Sequence, residues 1–454
     1  DGHCAHPLAS AAFVAQTRDI FHQTLTSFRF CDPLIHRKPR QMNTTTLTGF
    51  SSIEERIDQV PASARRVIRL LKRLKHGTLS VQWPDDHVEQ FGQHDDAHPG
   101  IHAHLHLRNW KPLTEAIKSG DIGFAESYIA GDWSTNHLAD LLQLLVANRR
   151  DMEDLIYGHW LGRLVYRVRH LLNRNTKANS AKNIHAHYDL GNPFYTLWLD
   201  PTMNYSSAWF NGNFEQPMSD AQNAKVRRAL EMTRVKAGDR VMEIGCGWGA
   251  LAEMGGREFG AHMSGVTLST EQLSFAQERM QRFGLQHNSD LRLQDYRDIN
   301  DGPYDAICSI EMIEAVGQEY WPTYFSTIAR LLKTGGRACV QSIVIDDALF
   351  DRYVKSTDFI QQYIFPGGCL PSPSVFRQHA EAAGLKVVDE MCFGLDYAET
   401  LRRWHTEFQR TKEQVLQLGF DERFCRIWEF YLAYCEAAFE QHNIDVMQFT
   451  LEKA

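Results

Sequence analysis

The run Glu243-Ile244-Gly245-Cys246-Gly247-Trp248-Gly249 carries the clearest chemical signal in the chain. Arg240 to Ile244 reads as a buried strand and a helical pattern begins at Ala250, so the glycines fall on a strand-to-helix turn. Gly245 and Gly247 let that turn be tight and bring backbone close to a ligand. Pyrophosphate binders usually read GxGxxG, with a helix N-terminus facing the phosphates. Here the spacing is ExGxGxG. A carboxylate at the strand end and closer glycines suit the methionine portion and ribose of S-adenosylmethionine (SAM) better than a pyrophosphate.

The elements that must position this turn follow in order. Met263–Thr267 reads as a second strand, running into Leu268, Ser269 and Gln272 at a helix start. A third strand ends at Gln294-Asp295, a fourth is Tyr304–Ile310, and a fifth is Arg337–Ile343. Strands alternating with helices predict an α/β, doubly wound, mostly parallel sheet, which binds ligands at the carboxyl ends of its strands. Those ends carry Glu243, Thr267, Gln294, Asp295 and Glu314, a set suited to SAM. A nicotinamide enzyme would place an acid where Thr267 and Ser269 stand.

Upstream lies a smaller mixed α/β domain, expected over residues 42–148. Val67, Leu70, Leu71 and Leu74 share a helical stripe, strand-like runs follow at Gly77–Trp83 and Ile101–Leu107, and helical segments run to Ile122 and from Asn136 to Ala147. His102, His104 and His106 alternate along the second run, with His94 and His98 just before it. They read as an exposed strand face, with a metal site as the competing reading. Residues 149–184 read as a basic amphipathic linker helix. Tyr157, Trp160, Leu161, Leu164 and Val168 recur on one face and Arg163, Arg167, His170 and Arg174 on another, suited either to an anionic membrane surface or to docking with its basic side solvated. Residues 1–41 show no sustained periodicity; Met42 reads as a natural start and 1–41 as a tag or extension.

Composition narrows the function class. The net charge of −8 gives no reason to expect nucleic-acid binding. No apolar run approaches the ~20 residues that span a bilayer. Nine cysteines without a CxxC pair suit a reduced, cytoplasmic protein, with neither zinc nor a disulfide framework expected.

The ordered motifs resemble the cyclopropane fatty acid synthase family, which includes the mycolic acid cyclopropane synthases and tuberculostearic acid methyltransferases. They are His187-Tyr188-Asp189-Leu190-Gly191-Asn192, Met203-Asn204-Tyr205-Ser206-Ser207-Ala208, the glycine turn, and GVTLSTEQ at 265 to 272. QDYRD at 294 to 298, EMIEAVG at 311 to 317 and YIFPGGCLPS at 363 to 372 complete them. The resemblance covers about residue 185 to 454. It implies a Rossmann-like class I SAM-dependent methyltransferase domain with a seven-stranded sheet.

It also implies methyl transfer from SAM to the cis double bond of an unsaturated acyl chain in a membrane phospholipid, giving a cyclopropane fatty acid. Cytoplasmic location at the inner membrane face is expected, and a homodimer is left open. By the resemblance, Tyr205, Ser206, Glu243 and the turn residues Gly245, Cys246, Gly247, Trp248 and Gly249 would hold the amino-acid end of SAM. Thr267, Leu268, Ser269 and Gln272 would take the ribose region, and Gln294 and Asp295 the adenine. Glu314 and Tyr397 match residues that touch a bicarbonate ion, the family's proton acceptor. Cys435 matches a cysteine often marked as active, although the reaction needs no thiolate.

Three positions depart from the cyclopropane pattern. Ser207 replaces a Cys, Ala315 follows Glu314 in place of a His, and Gln341 replaces another His. The Cys and the second His help hold bicarbonate, and Gln cannot carry a proton. A methylene- or methyl-branched product of the tuberculostearic type therefore stays open beside the ring. So do a methyltransferase for a small soluble substrate and a non-catalytic lipid-binding protein of the same fold. The aromatic-rich insertion at Phe359–Leu370 favours an acyl tunnel over a soluble substrate.

Overall fold

A small sheet comes first. β1 (Thr78–Gln82) pairs antiparallel with β2 (Val88–Gly92) and parallel with β3 (His102–Leu107), and β4 (Trp133–Ser134) closes the order β2-β1-β3-β4. This is a computed structural model, and it describes residues 60–92, 100–149 and 190–454. Residues 1–41, Met42, His94, His98, residues 155–172 of the expected basic linker helix, and His187 to Asp189 lie outside the described residues. Alternation along β3 turns Ala103, Leu105 and Leu107 inward and leaves His102, His104 and His106 on the outer face, as the sequence predicts. Helix 62–71 buries Val67, Ile68 and Leu71.

The second sheet has seven strands in the order β10-β11-β9-β8-β5-β6-β7. They are β5 (Arg240–Ile244), β6 (His262–Thr267), β7 (Ser289–Leu293), β8 (Tyr304–Ile310), β9 (Leu332–Ile345), β10 (Leu385–Cys392) and β11 (Ile444–Lys453). β7, β6, β5, β8 and β9 run parallel, and β11 enters antiparallel between β9 and β10. β5 sits centrally, and four of its five residues are buried. Continuous apolar strands are what a sheet covered on both faces requires. Successive strands run outward from β5 first toward β7 and then, after a crossover, toward β9. The crevice beyond β5 and β8 is therefore the topological switch point, where such folds bind ligands.

The two sheets meet through helices. Helix 138–147 and helix 111–129 both pack on helix 422–440. The inward side of helix 422–440 carries Phe424, Ile427, Trp428, Phe430 and Tyr431. Phe194, fully buried, packs edge-on against Trp198 and Trp428, and burial of one such side chain contributes roughly 1.5–3 kcal/mol. This aromatic cluster continues to Trp404 and Tyr205, whose rings lie 5.4 Å apart. It brings Tyr205 to the mouth of the switch point.

Candidate active site

A cavity of about 140 Å³ lies at the switch point. Tyr205 and Ser206 reach it from the loop before helix 218–232. Glu243, Gly245, Cys246, Gly247 and Trp248 supply its floor from β5 and the turn. Thr267, Leu268 and Gln272 come from the end of β6 and the helix after it, and Gln294 from the end of β7. The remaining three candidates stand behind this wall. Gly249, at φ 82°, starts helix 250–258 and packs against Ala276. Ser269 caps helix 270–282, accepting the Gln272 N–H at 3.2 Å. Asp295 caps the short turn 296–298 and grips the Arg297 guanidinium at 2.8 and 2.5 Å.

The turn and its charges fit SAM. Gly245, Gly247 and Gly249 all have positive φ, and a Cβ at Gly247 would meet no atom within 4 Å. That glycine is needed for its backbone conformation, and it leaves space open beside the ligand. Glu243 is 4% exposed, and its Oε2 is buried without a hydrogen-bond partner. Such an atom is costly unless a ligand donates to it. Burial pushes this carboxyl well above its ordinary range, against the charge of Lys225. Lys225, fully buried, donates to Ser206 Oγ at 2.5 Å, and burial lowers its ammonium to about 8.

Sequence reasoning missed Lys225 and Arg279. Arg279, 7% exposed, donates to the Trp248 carbonyl at 3.0 Å and the Thr202 carbonyl at 2.9 Å, tying the glycine turn to the loop that carries Tyr205. Both sit on helices whose charged residues look like ordinary solvent-facing ones. Only the packing shows that they point inward.

A second cavity, of about 320 Å³ and mostly apolar, opens between the two sheets. Leu79, Leu105 and Leu142 line it from the small sheet's side. The 359–370 insertion contributes Ile360, Phe365 and Leu370, as its composition predicts. Tyr205, Glu311 and Ala315 line both cavities, so the two meet there.

The expected catalytic residues gather at or behind this junction. Glu314 accepts the Ile343 N–H. Burial first, and then the charge of Glu311, raise its carboxyl to about 8. Tyr397 donates its phenol to Glu311 Oε2 at 2.7 Å, and Gln341 donates its amide to Glu311 Oε1 at 2.7 Å. Ser207 presents its main-chain N–H to Glu311 Oε1 at 2.9 Å, while its hydroxyl turns away to the Ala208 carbonyl. Cys435 lines the apolar cavity, where burial pushes its thiol up and keeps it protonated. Glu311 itself lies in the EMIEAVG motif, where the sequence alone gives it no role.

The fold and the site together define a SAM-dependent methyltransferase. The mycolic acid cyclopropane synthase CmaA1, solved with SAH and CTAB, superposes with a TM-score of 0.57 at 32% identity, over 60% of this chain and 98% of that one. The tuberculostearic acid methyltransferase UfaA1 of Mycobacterium tuberculosis is 39% identical over 86% of this chain and 91% of its own length. The cyclopropane-fatty-acyl-phospholipid synthase of Escherichia coli is 32% identical over 77% and 88%. The sequence model for mycolic acid cyclopropane synthetase matches residues 175–449, and the chain belongs to that family.

Proposed function

We propose that this protein methylates the cis double bond of an unsaturated acyl chain in a membrane phospholipid, closing a cyclopropane ring. One observation carries the reading: an apolar cavity meets a polar, glycine-turned cavity at a junction lined by Tyr205, Glu311 and Ala315. SAM bound in the polar cavity supplies an electrophilic methyl group on a sulfonium. Glu243, Ser206 and the 245–249 turn hold its amino-acid end. Gln272, Thr267 and Gln294 stand along the rest of the cavity. Ile360, Phe365 and Leu370 hold the acyl chain and exclude water, so the cation left on the chain is not quenched. The polar groups around Glu311 and Glu314 stabilise that charge as it develops. Because its substrate is a membrane lipid, the enzyme works at the cytoplasmic membrane surface. Among the described residues no helix is long and apolar enough to cross a membrane.

A methylene- or methyl-branched product is the second reading. It is favoured by Gln341 and Ala315, which cannot relay a proton, and by the 39% identity to a tuberculostearic acid methyltransferase. Incubation with methyl-labelled SAM and dioleoyl phospholipid vesicles, followed by mass spectrometry of the fatty acids, separates the readings. A labelled ring is expected. A labelled branched chain supports the second reading, and unlabelled lipid overturns both.

A further inference from the structure

The junction between the cavities holds a carboxylate that none of the expected roles uses. Glu311 directly follows β8 at φ 49°, a left-handed conformation that costs a non-glycine residue roughly 1 kcal/mol. Its N–H still pairs with the Gln341 carbonyl at 2.8 Å, so β8 and β9 hold it there. Three donors converge on its carboxylate: the Ser207 N–H and the Gln341 amide on Oε1, and the Tyr397 hydroxyl on Oε2.

Two of the three cannot be reversed. A main-chain N–H only donates. Gln341 Oε1 already accepts the Gln448 amide at 3.0 Å, so its own NH₂ group must face Glu311. Gln448 is fixed in turn by Arg228, which donates to its Oε1 at 2.7 Å, and by the Lys225 carbonyl, which accepts its amide at 3.2 Å. Burial pushes the Tyr397 phenol well above its ordinary range, so it keeps the proton it directs at Oε2. All three groups are therefore arranged for an anion.

The family resemblance assigns the positions of Ser207, Gln341, Tyr397 and Glu314 to a bicarbonate ion. In this chain the donors of Ser207, Gln341 and Tyr397 already point at a carboxylate the protein supplies. A bicarbonate ion would lose those donors and lie against the Glu311 carboxylate, so these residues do not fit it. We propose that the Glu311 carboxylate is the built-in proton acceptor of this enzyme, standing where the family resemblance places an external anion.

This rests on the alkene-methylation reading. In the step, the S–CH₃ bond breaks with its electron pair going to sulfur. The C=C π pair forms the new C–CH₃ bond and leaves a cation on the other alkene carbon. A C–H pair of the new methyl then closes the ring, and its proton passes to Glu311. Proton loss from the neighbouring chain carbon to the same carboxylate gives a methyl-branched alkene, and a hydride shift from the methylated carbon to the cation followed by proton loss from the methyl group gives a methylene branch.

Two measurements test the proposal. The first is titration of ¹³C-bicarbonate into the SAH-saturated protein, followed by NMR. The wild type should show no saturable binding and Glu311→Ala should gain it. Bicarbonate binding to the wild type would overturn the proposal. The second is lipid labelling by the wild type in bicarbonate-depleted buffer, which should stay within about twofold of that in repleted buffer. Glu311→Gln should lose at least about 100-fold while still binding SAH, and added bicarbonate should restore part of the activity of Glu311→Ala. Wild-type activity that collapses on depletion and returns on repletion sinks the built-in base. Absence of any lipid labelling sinks the functional reading instead and leaves the binding titration to decide. Neither wild-type arm depends on the variants folding.

Discussion

Glu311 and Glu314 share one turn, and two buried carboxylates this close cannot both ionise cheaply. Burial raises the Glu311 carboxyl above its ordinary range, and the field of Lys225 and three hydrogen-bond donors oppose that rise by favouring its charged form. Glu314 is lifted to about 8, so at neutral pH it carries a proton. The free chain titrates this group at 4.5. Between those values the folded state holds the extra proton. The stability it contributes is complete below 4.5 and is lost as pH rises through 8. Glu314→Gln imitates the neutral acid at every pH. Its melting temperature should therefore improve relative to the wild type from about pH 5 to about pH 9, equivalent to roughly 4 kcal/mol. Groups away from this pair titrate alike in both proteins and cancel in the difference, which therefore reports the Glu311–Glu314 pair. A difference independent of pH would show that Glu314 is ionised throughout. Neither proton was legible in the sequence, where both residues are glutamates in one motif; burial and the donor set tell them apart.

At the scale of elements, the alternation of strand and helix was readable because each core strand is a short apolar run bounded by turn residues. β5 and β8 appear over the residues expected. β9 is longer than expected, starting at Leu332, because its first residues pair with Tyr304 across an irregularity in the ladder. β2 has no counterpart in the sequence pattern. Val88, Glu89 and Gln90 are mostly polar and the strand lies at a sheet edge, so no hydrophobic pattern marks it. The glycine turn was legible by spacing alone, and it invites a test. Gly247→Ala places a methyl group into open space at φ 48°. The fold should lose only about 1 kcal/mol, measured by thermal melting. Calorimetric SAH affinity should fall at least about tenfold, because the methyl projects into the ligand's space. Unchanged affinity would show that the cofactor does not approach this turn.

For the whole molecule, the apolar cavity is built from both sheets' surroundings, and the proposed acyl-chain path runs along the small sheet's side. Leu145, on helix 138–147, lines that cavity and lies outside the cofactor cavity. Leu145→Trp should cut labelling of dioleoyl vesicles about tenfold or more by filling acyl space, while SAH affinity stays within about twofold. Equal labelling by variant and wild type would place the acyl chain elsewhere.

The sequence by itself determined the parallel sheet, the glycine turn and the family, because these depend on local periodicity and on residues adjacent in the chain. Only the tertiary structure decided where the charge sits. Ser207, Lys225, Glu311, Gln341, Tyr397 and Gln448 come from separate segments. Their hydrogen bonds and burial, which set the direction of each amide and the proton on each carboxyl, exist only once the sheet closes around them.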